Sequence, residues 1–241
     1  MRVPILICAL VASGAVSGAT FRAWRAREAA PKLPVVAGEV ELRVPHVRGS
    51  ITLDGDLDDS GWLGPIAHTG AFVDKNGVDA RPHSEARLAW GDGVLYLSFY
   101  AADEDIRGAV HEPDGKLWQD DSFHFVIDDG KNERSFDASV LGVLTDATRP
   151  SKAGKTGGAP FDSSWQSGAH VSREIDGTIN DPSDDDEEWA LELAIPLESI
   201  GLRGEAGERV RFAIHRCDSP KSGRRICASW GEREPAVLVL E

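Results

Sequence analysis

The sequence has 241 residues, of which 41% are hydrophobic and 27% are charged, so it can bury a core and remain soluble. Its formal net charge of −14 predicts repulsion from nucleic acid, anionic membranes and acidic polysaccharides, and favours neutral ligands or cations. Seven Trp residues, against two Tyr, supply flat apolar surface for a core or for a stacking platform.

Residues 1–19 are predicted to be a signal peptide. Arg2 precedes a short apolar run, and the small residues that follow favour cleavage after Ala19. We therefore expect a bacterial protein that is secreted or held in the periplasm or cell envelope, with no membrane contact in its mature form. The alternative is a retained N-terminal anchor, favoured by three arginines after the run: Arg22, Arg25 and Arg27.

Residues 20–38 are rich in Ala, Arg and Pro and are predicted to be a linker. Residues 39–241 alternate short β-patterned runs with turn signals, which predicts one all-β domain, an antiparallel β-sandwich of the jelly-roll or immunoglobulin-like kind. Two short helices are expected, near 57–63 and 197–200. The predicted strands are 39–45, 50–53, 84–91, 94–101, 121–128, 134–140, 142–147, 169–174, 187–195, 208–217, 226–230 and 236–240.

Two cysteines, Cys217 and Cys227, lie on either side of the turn-rich segment DSPKSGRR. In an exported protein this spacing predicts a disulfide that closes a hairpin. Two buried free thiols are the alternative.

An aromatic residue and an acidic doublet run directly into an alternating strand in the segment LWQDDSFHFVIDDG at 117–130. Trp118 is expected at the edge of a sheet, and His124 lies on the strand face opposite Phe123 and Phe125. This arrangement suits a binding site on a β scaffold. Four other Trp residues alternate with apolar neighbours and are expected in the core: Trp62, Trp90, Trp189 and Trp230.

Acidic residues end one predicted hairpin and precede the next strand. Asp103 and Asp105 follow strand 94–101, and Asp120 precedes strand 121–128. Calcium takes about six to eight oxygen ligands, often from loops at strand ends. The sequence therefore predicts a calcium site formed by these three carboxylates, and no organic cofactor.

Catalytic and haem-binding functions find little support. The sequence has no G-x-S-x-G or H-E-x-x-H motif, and no motif singles out a glycosidase pair among Glu85, Asp121 and Glu192. The only methionine is Met1, which export would remove, so a haem site would need two histidines, with His124 as one.

Several segments resemble, in order, the carbohydrate-binding modules of family 9 and the wider DOMON-related group. They are ITLDGDLDDSGW (51–62), ARLAWGDGVLYLSFYAADEDI (86–106), LWQDDSFHFVID (117–128), EEWALELAIPLESIGL (187–202) and FAIHRC…ASWG (212–231). The resemblance covers roughly residues 48–241. It implies a β-sandwich with a non-catalytic role in sugar binding, often with bound calcium, and a terminal sugar held between two Trp rings.

Trp118 matches the first of these two rings, and no Trp follows Trp230 to supply the second. Trp165 is a possible replacement, and His124 stands where a Glu is common. The following strand offers only Asp137 and Ser139 as polar partners. The predicted ligand-binding residues are Trp118, Asp121, His124, Ser139 and Trp165.

Together these features predict a non-catalytic exported module that holds a neutral poly- or oligosaccharide against Trp118. The alternative is an envelope sandwich that has lost the sugar site and binds a protein partner. A haem-binding relative is the least favoured.

Overall fold

The computed structural model describes residues 39–151, 159–221, 223–230 and 236–241. The predicted signal peptide and linker lie outside the described residues. Within these ranges, the regular structure consists of twelve strands and two short 3₁₀ helices, Leu117–Gln119 and Leu197–Ile200. The strands are β1 (Val40–Val44), β2 (Ala67–His68), β3 (Ser84–Gly91), β4 (Val94–Ala102), β5 (Ser122–Asp128), β6 (Asn132–Ser139), β7 (Leu144–Pro150), β8 (His170–Asp176), β9 (Glu188–Pro196), β10 (Arg209–Asp218), β11 (Ile226–Trp230) and β12 (Ala236–Leu240).

The strands form two sheets that face each other, as the sequence predicts. The larger sheet has the order β1-β12-β10-β5-β6-β7, and β11 pairs with the end of β10 that β12 leaves open. The smaller sheet has the order β2-β3-β4-β9-β8. All pairs between these strands are antiparallel except β1 with β12, so the predicted antiparallel β-sandwich is confirmed, with one parallel pair at an edge of the larger sheet.

Aromatic side chains join the sheets across the core. Phe123 of β5 stacks on Phe99 of β4 with ring centroids 4.6 Å apart, and its edge meets Trp189 of β9 at 5.1 Å. Their inward positions follow from the alternation of side chains along each strand. Trp62, Trp90 and Trp189 are buried, and Trp230 packs on Phe212, so these Trp residues belong to the core as predicted.

The segment before β2 differs from its prediction. Residues 50–53 form no strand, and 57–63 contain a turn instead of a helix. A buried carboxylate explains this conformation, because Glu192 of β9 accepts hydrogen bonds from Trp62 Nε1 at 2.6 Å and from the backbone N–H groups of Asp54 and Gly55 at 3.0 and 2.7 Å. These three bonds hold the chain against the smaller sheet.

The predicted disulfide between Cys217 and Cys227 is present, with an S–S distance of 1.98 Å, and it links β10 to β11. Within the described ranges, no helix has the length and apolar character needed to cross a membrane.

Candidate functional site

A cavity of about 1290 Å³ lies on the outer face of the larger sheet. Its floor is a row of polar side chains contributed by five adjacent strands. Strand pairing places each residue opposite the next across the sheet, in the order Ser229, His215, His124, Asp137 and Thr145. Side chains alternate between the two faces of a sheet along each strand. Because these five residues are paired directly across the strands, their side chains all lie on the same face.

His124 and Asp137 are hydrogen bonded in the middle of this row. Nδ1 of His124 lies 2.8 Å from Oδ1 of Asp137, and the His124 ring lies 5.6 Å from the ring of His215. An ionised carboxylate requires a proton on Nδ1, so Nε2 of a neutral His124 is left as an acceptor. The row therefore offers acceptors and donors at fixed positions to a hydroxyl-rich ligand.

Trp118 lies at the edge of the cavity, on the 3₁₀ helix that precedes β5. Its neighbour Leu117 is fully buried and fixes the helix, whereas the Trp118 side chain is 58% exposed. Arg225 secures the end of this helix by donating to the carbonyls of Gln119 and Asp120 at 3.4 and 2.6 Å. An indole in this position presents apolar surface to a ligand in the cavity.

Segments from both edges of the sheet form the other walls. On one side Val73 bridges to Ser229, which brings the turn that carries Lys75 next to the cavity. On the other side Phe161 lines the cavity, with the Arg149 guanidinium 3.9 Å from its ring centroid. The site is thus a groove bounded by two aromatic side chains and a basic segment.

Two of the five predicted ligand-binding residues, Trp118 and His124, line this cavity, and the other three lie elsewhere. Trp165 packs on Phe136 in the core, 6.1 Å between ring centroids, so it is not a second platform over the cavity. Asp121 and Ser139 are fully buried. These three residues therefore do not line the cavity.

Asp121 belongs instead to a buried acidic cluster beneath the end of the larger sheet. Carboxylate oxygens of Asp103, Asp121 and Asp218 lie within 4.8 Å of one another. Arg216, only 2% exposed, donates to Asp103 at 2.9 Å and to Asp218 at 3.2 Å. Trp189 Nε1 also donates to Asp103, at 2.9 Å. We call Asp103, Asp121 and Asp218 the acidic cluster.

The predicted calcium ligands overlap only partly with this cluster. Asp103 is a member, whereas Asp105 pairs with Arg107 and Asp120 accepts the N–H of Val110 at 2.9 Å. The prediction missed Asp218 because it lies about a hundred residues further along the chain and comes close only when β10 pairs with β5.

Negative charge in the acidic cluster exceeds what Arg216 neutralises. Burial, with the nearby Asp103 carboxylate, raises the pKa of Asp121 to about 7. Burial also raises the pKa of Asp218 to about 6, against the opposing effect of Arg216. Oδ2 of Asp218 is buried and has no hydrogen-bond partner among the described residues. Three converging carboxylates and an unpartnered oxygen fit the donor set of a hard cation such as calcium.

The carboxylates that could have formed a glycosidase pair are held in structural roles. Glu192 is fully buried and bonded to the 54–62 segment, Glu85 pairs with Arg87, and Asp121 accepts backbone N–H groups of Arg107 and Ser219. The structure therefore brings no two of them together beside the cavity.

The structure is a β-sandwich with a groove on its larger sheet, and solved structures of the same fold are similar to it. A protein from Bacteroides uniformis described as carbohydrate-binding has 17% identity and a TM-score of 0.59, over 84% of this chain and 99% of that chain. A family 9 carbohydrate-binding module from Caldicellulosiruptor kristjanssonii in complex with cellotriose has 14% identity and a TM-score of 0.56, over 83% and 93%. The module from the same organism in complex with glucose has a TM-score of 0.55 at 14% identity, over 83% and 95%.

No family profile and no curated protein matches the sequence. At such low identities the likeness shows the fold, which is that of family 9 carbohydrate-binding modules, as the sequence resemblance implies. The residues of the cavity floor carry no local motif. His215 and Thr145 have the alternating positions of outward side chains, but only strand order shows that they are neighbours of His124.

Proposed function

We propose that the protein is a non-catalytic carbohydrate-binding module that holds an oligosaccharide in the groove on its larger sheet. The observation that carries this proposal is the exposed indole of Trp118 beside the polar row of the cavity floor. A pyranose ring packs its C–H face on an aromatic ring, while its hydroxyls need fixed partners to replace the water that they lose. The cellotriose and glucose complexes of structurally similar modules support this choice of ligand.

Two further features extend the proposal. The disulfide between Cys217 and Cys227 and the predicted signal peptide support export to the periplasm, cell envelope or medium. The structural roles of Glu85, Asp121 and Glu192 support a module without catalytic activity of its own.

We also propose that the acidic cluster binds one calcium ion with a structural role. The excess of buried carboxylates over the single buried Arg216 supports it, because uncompensated charge in the interior is costly. The ion would be held by Asp103, Asp121 and Asp218. Without it, the raised pKa values of Asp121 and Asp218 indicate that protons reduce the negative charge of the cluster, and the bound ion would take over that role.

The sugar-binding proposal is tested by titrating the protein with xylo- and cello-oligosaccharides while recording Trp fluorescence and heat. We expect saturable binding, and we expect Trp118→Ala to weaken it at least about tenfold because stacking surface is lost. Leu63→Ala is the matched control, since Leu63 is 76% exposed and does not line the cavity. Neither substitution should change the melting temperature noticeably.

Two results would contradict the proposal. One is an affinity for oligosaccharides that Trp118→Ala leaves unchanged. The other is the absence of binding to any glycan on a broad array in the presence of calcium. The second result, together with a protein partner recovered by pull-down, would favour the envelope interaction module that the sequence leaves as the alternative.

A further inference from the structure

Cationic side chains line the cavity, although acids outnumber bases by 40 to 26 in the chain. Lys75 and Arg224 both line the cavity and are exposed. They come from different segments: Lys75 from the turn after Val73, which bridges to Ser229, and Arg224 from the hairpin that joins β10 to β11. Strand pairing thus brings two charges that are distant in sequence to the wall of the same cavity.

Neither cation has a carboxylate partner within the part of the chain that the structure describes. Several other basic residues are paired with carboxylates, including Arg107 with Asp105, Arg134 with Asp129 and Arg209 with Glu41. In so acidic a protein, two cations that remain unpaired on the wall of a groove are available to an anionic group on a ligand.

The acids that line the cavity are mostly engaged with other groups. The Asp74 carboxylate accepts hydrogen bonds from the backbone N–H groups of Asn76 and Val78 at 2.7 and 3.1 Å. Asp137 is bonded to His124. Only Asp114, on the surface near Trp118, lines the cavity without a partner among the described residues. The Asp74 bonds also fix the backbone of the turn that carries Lys75.

We infer that the groove binds oligosaccharides that carry carboxylates, as uronic acid residues do, and that Lys75 and Arg224 recognise the charge. The inference rests on the proposed sugar-binding function and specifies its ligand. It departs from the neutral glycan that net charge alone predicts. The net charge of the protein acts on a ligand over long distances, and salt screens that repulsion. The two cations in the groove instead act on the ligand at contact distance.

The size of the effect follows from the exposure of both cations. Contacts between exposed opposite charges are individually weak, so two of them should improve affinity for an acidic sugar by about tenfold over its neutral counterpart. The preference should shrink in salt, since the groove is open to solvent.

The test compares two matched ligand pairs by calorimetry. One pair is a glucuronic-acid-substituted xylo-oligosaccharide and the unsubstituted chain of the same length, and the other is an oligogalacturonate and its methyl ester. We expect the acidic member of at least one pair to bind about tenfold more tightly at 20 mM salt, and this preference to fall at 300 mM. The double variant Lys75→Gln/Arg224→Gln should bind both members of each pair with equal affinity, because it lacks the charges that distinguish them.

The control is the double variant Arg48→Gln/Lys131→Gln, which removes two exposed cations that do not line the cavity. Equal or tighter binding of the neutral member in both pairs would overturn the inference while leaving the proposed function intact. A loss of preference in the control as large as in the Lys75/Arg224 variant would also overturn it. If none of these ligands bound while cello-oligosaccharides did, the inference would fail and the proposed function would stand. If cello-oligosaccharides also failed to bind, both would fail.

Discussion

The groove on the larger sheet and the acidic cluster beneath it use neighbouring residues of the same two strands for opposite purposes. In β10, His215 and Cys217 face the groove, whereas Arg216 and Asp218 are buried. Before and within β5, Asp121 is buried and His124 lies on the cavity floor. The groove presents polar groups to solvent, and the cluster confines charges away from it.

This comparison shows how different the energetics of adjacent residues can be. In the groove, exposed and half-buried side chains such as Trp118, His124 and Asp137 keep contact with water until a ligand arrives, so substituting them should alter binding and leave stability nearly unchanged. In the cluster, each charge depends on its buried partners, so a substitution should alter stability. Substitutions in each region, and changes of calcium and pH, can test this separation.

Removing the buried cation should have the largest effect. Arg216→Met leaves Asp103 and Asp218 without the guanidinium that they share, and we expect a loss of about 3–5 kcal/mol in the free energy of unfolding. Urea denaturation measures it. The matched control is Arg211→Met in the same strand, where the ion pair with Asp128 is long, at 3.9 Å, and partly exposed, so we expect a change below about 0.5 kcal/mol. Equal effects in the two variants would contradict the separation.

Removing calcium should have the next largest effect. We expect the protein in excess calcium to melt several degrees above the protein in EDTA, since saturation at 100 times the dissociation constant is worth about 2.7 kcal/mol. Asp218→Asn should abolish this difference, whereas Asp58→Asn, at an exposed carboxylate, should preserve it. Differential scanning calorimetry gives the measurement. If the wild type had the same melting temperature in calcium and in EDTA, the proposal that the acidic cluster binds calcium would be wrong.

In EDTA, pH should affect stability through the same cluster. The pKa of Asp121 is raised to about 7 in the folded protein, from about 4 in the unfolded chain. The folded state therefore binds more protons between these values, and its stability falls as pH rises from about 5 to about 7. We expect a loss of about 1–2 kcal/mol, discounted for coupling to Asp218. Stability that rises with pH over this range would show that the cluster is not protonated.

Periodicity and turn signals predict the strands well because they are local properties. The alternation in β5, β9 and β10 predicts which side chains are buried, and the Cys217–Cys227 spacing predicts the hairpin that they close. Failures occur where a distant residue decides the conformation. Residues 57–63 form a turn because Glu192 binds Trp62 and the preceding backbone, and no local pattern contains that information.

Residues of the candidate site also differ in whether the sequence alone could predict them. Trp118 and His124 are predictable because they flank and occupy one strand with a marked pattern. Asp218, His215 and Lys75 reach their sites through strand pairing and through the bridge between Val73 and Ser229, and these contacts depend on the order of strands in the sheet. The fold is thus more predictable than the site, since the site combines residues that are brought together only by non-local pairing.

The smallest predicted effect concerns the hydrogen bond in the cavity floor. Asp137→Ala removes the partner of His124 Nδ1, and the freed imidazole loses its fixed tautomer and orientation. Because the polar row would then offer a less ordered acceptor, we expect oligosaccharide affinity to fall about three- to tenfold, near 1 kcal/mol, without a change in melting temperature. Calorimetric titration of the wild type and variant measures both the affinity and its enthalpy.

The matched control for this variant is Asp114→Ala, because Asp114 also lines the cavity but has no partner in the described structure. Its removal should leave the affinity for a neutral oligosaccharide unchanged. If Asp137→Ala instead lowered the melting temperature by several degrees, the His124–Asp137 bond would stabilise the sheet, as the contacts of the acidic cluster do. The groove and the cluster would then share one energetic role, and the separation between binding face and buried charge would not hold at the centre of the larger sheet.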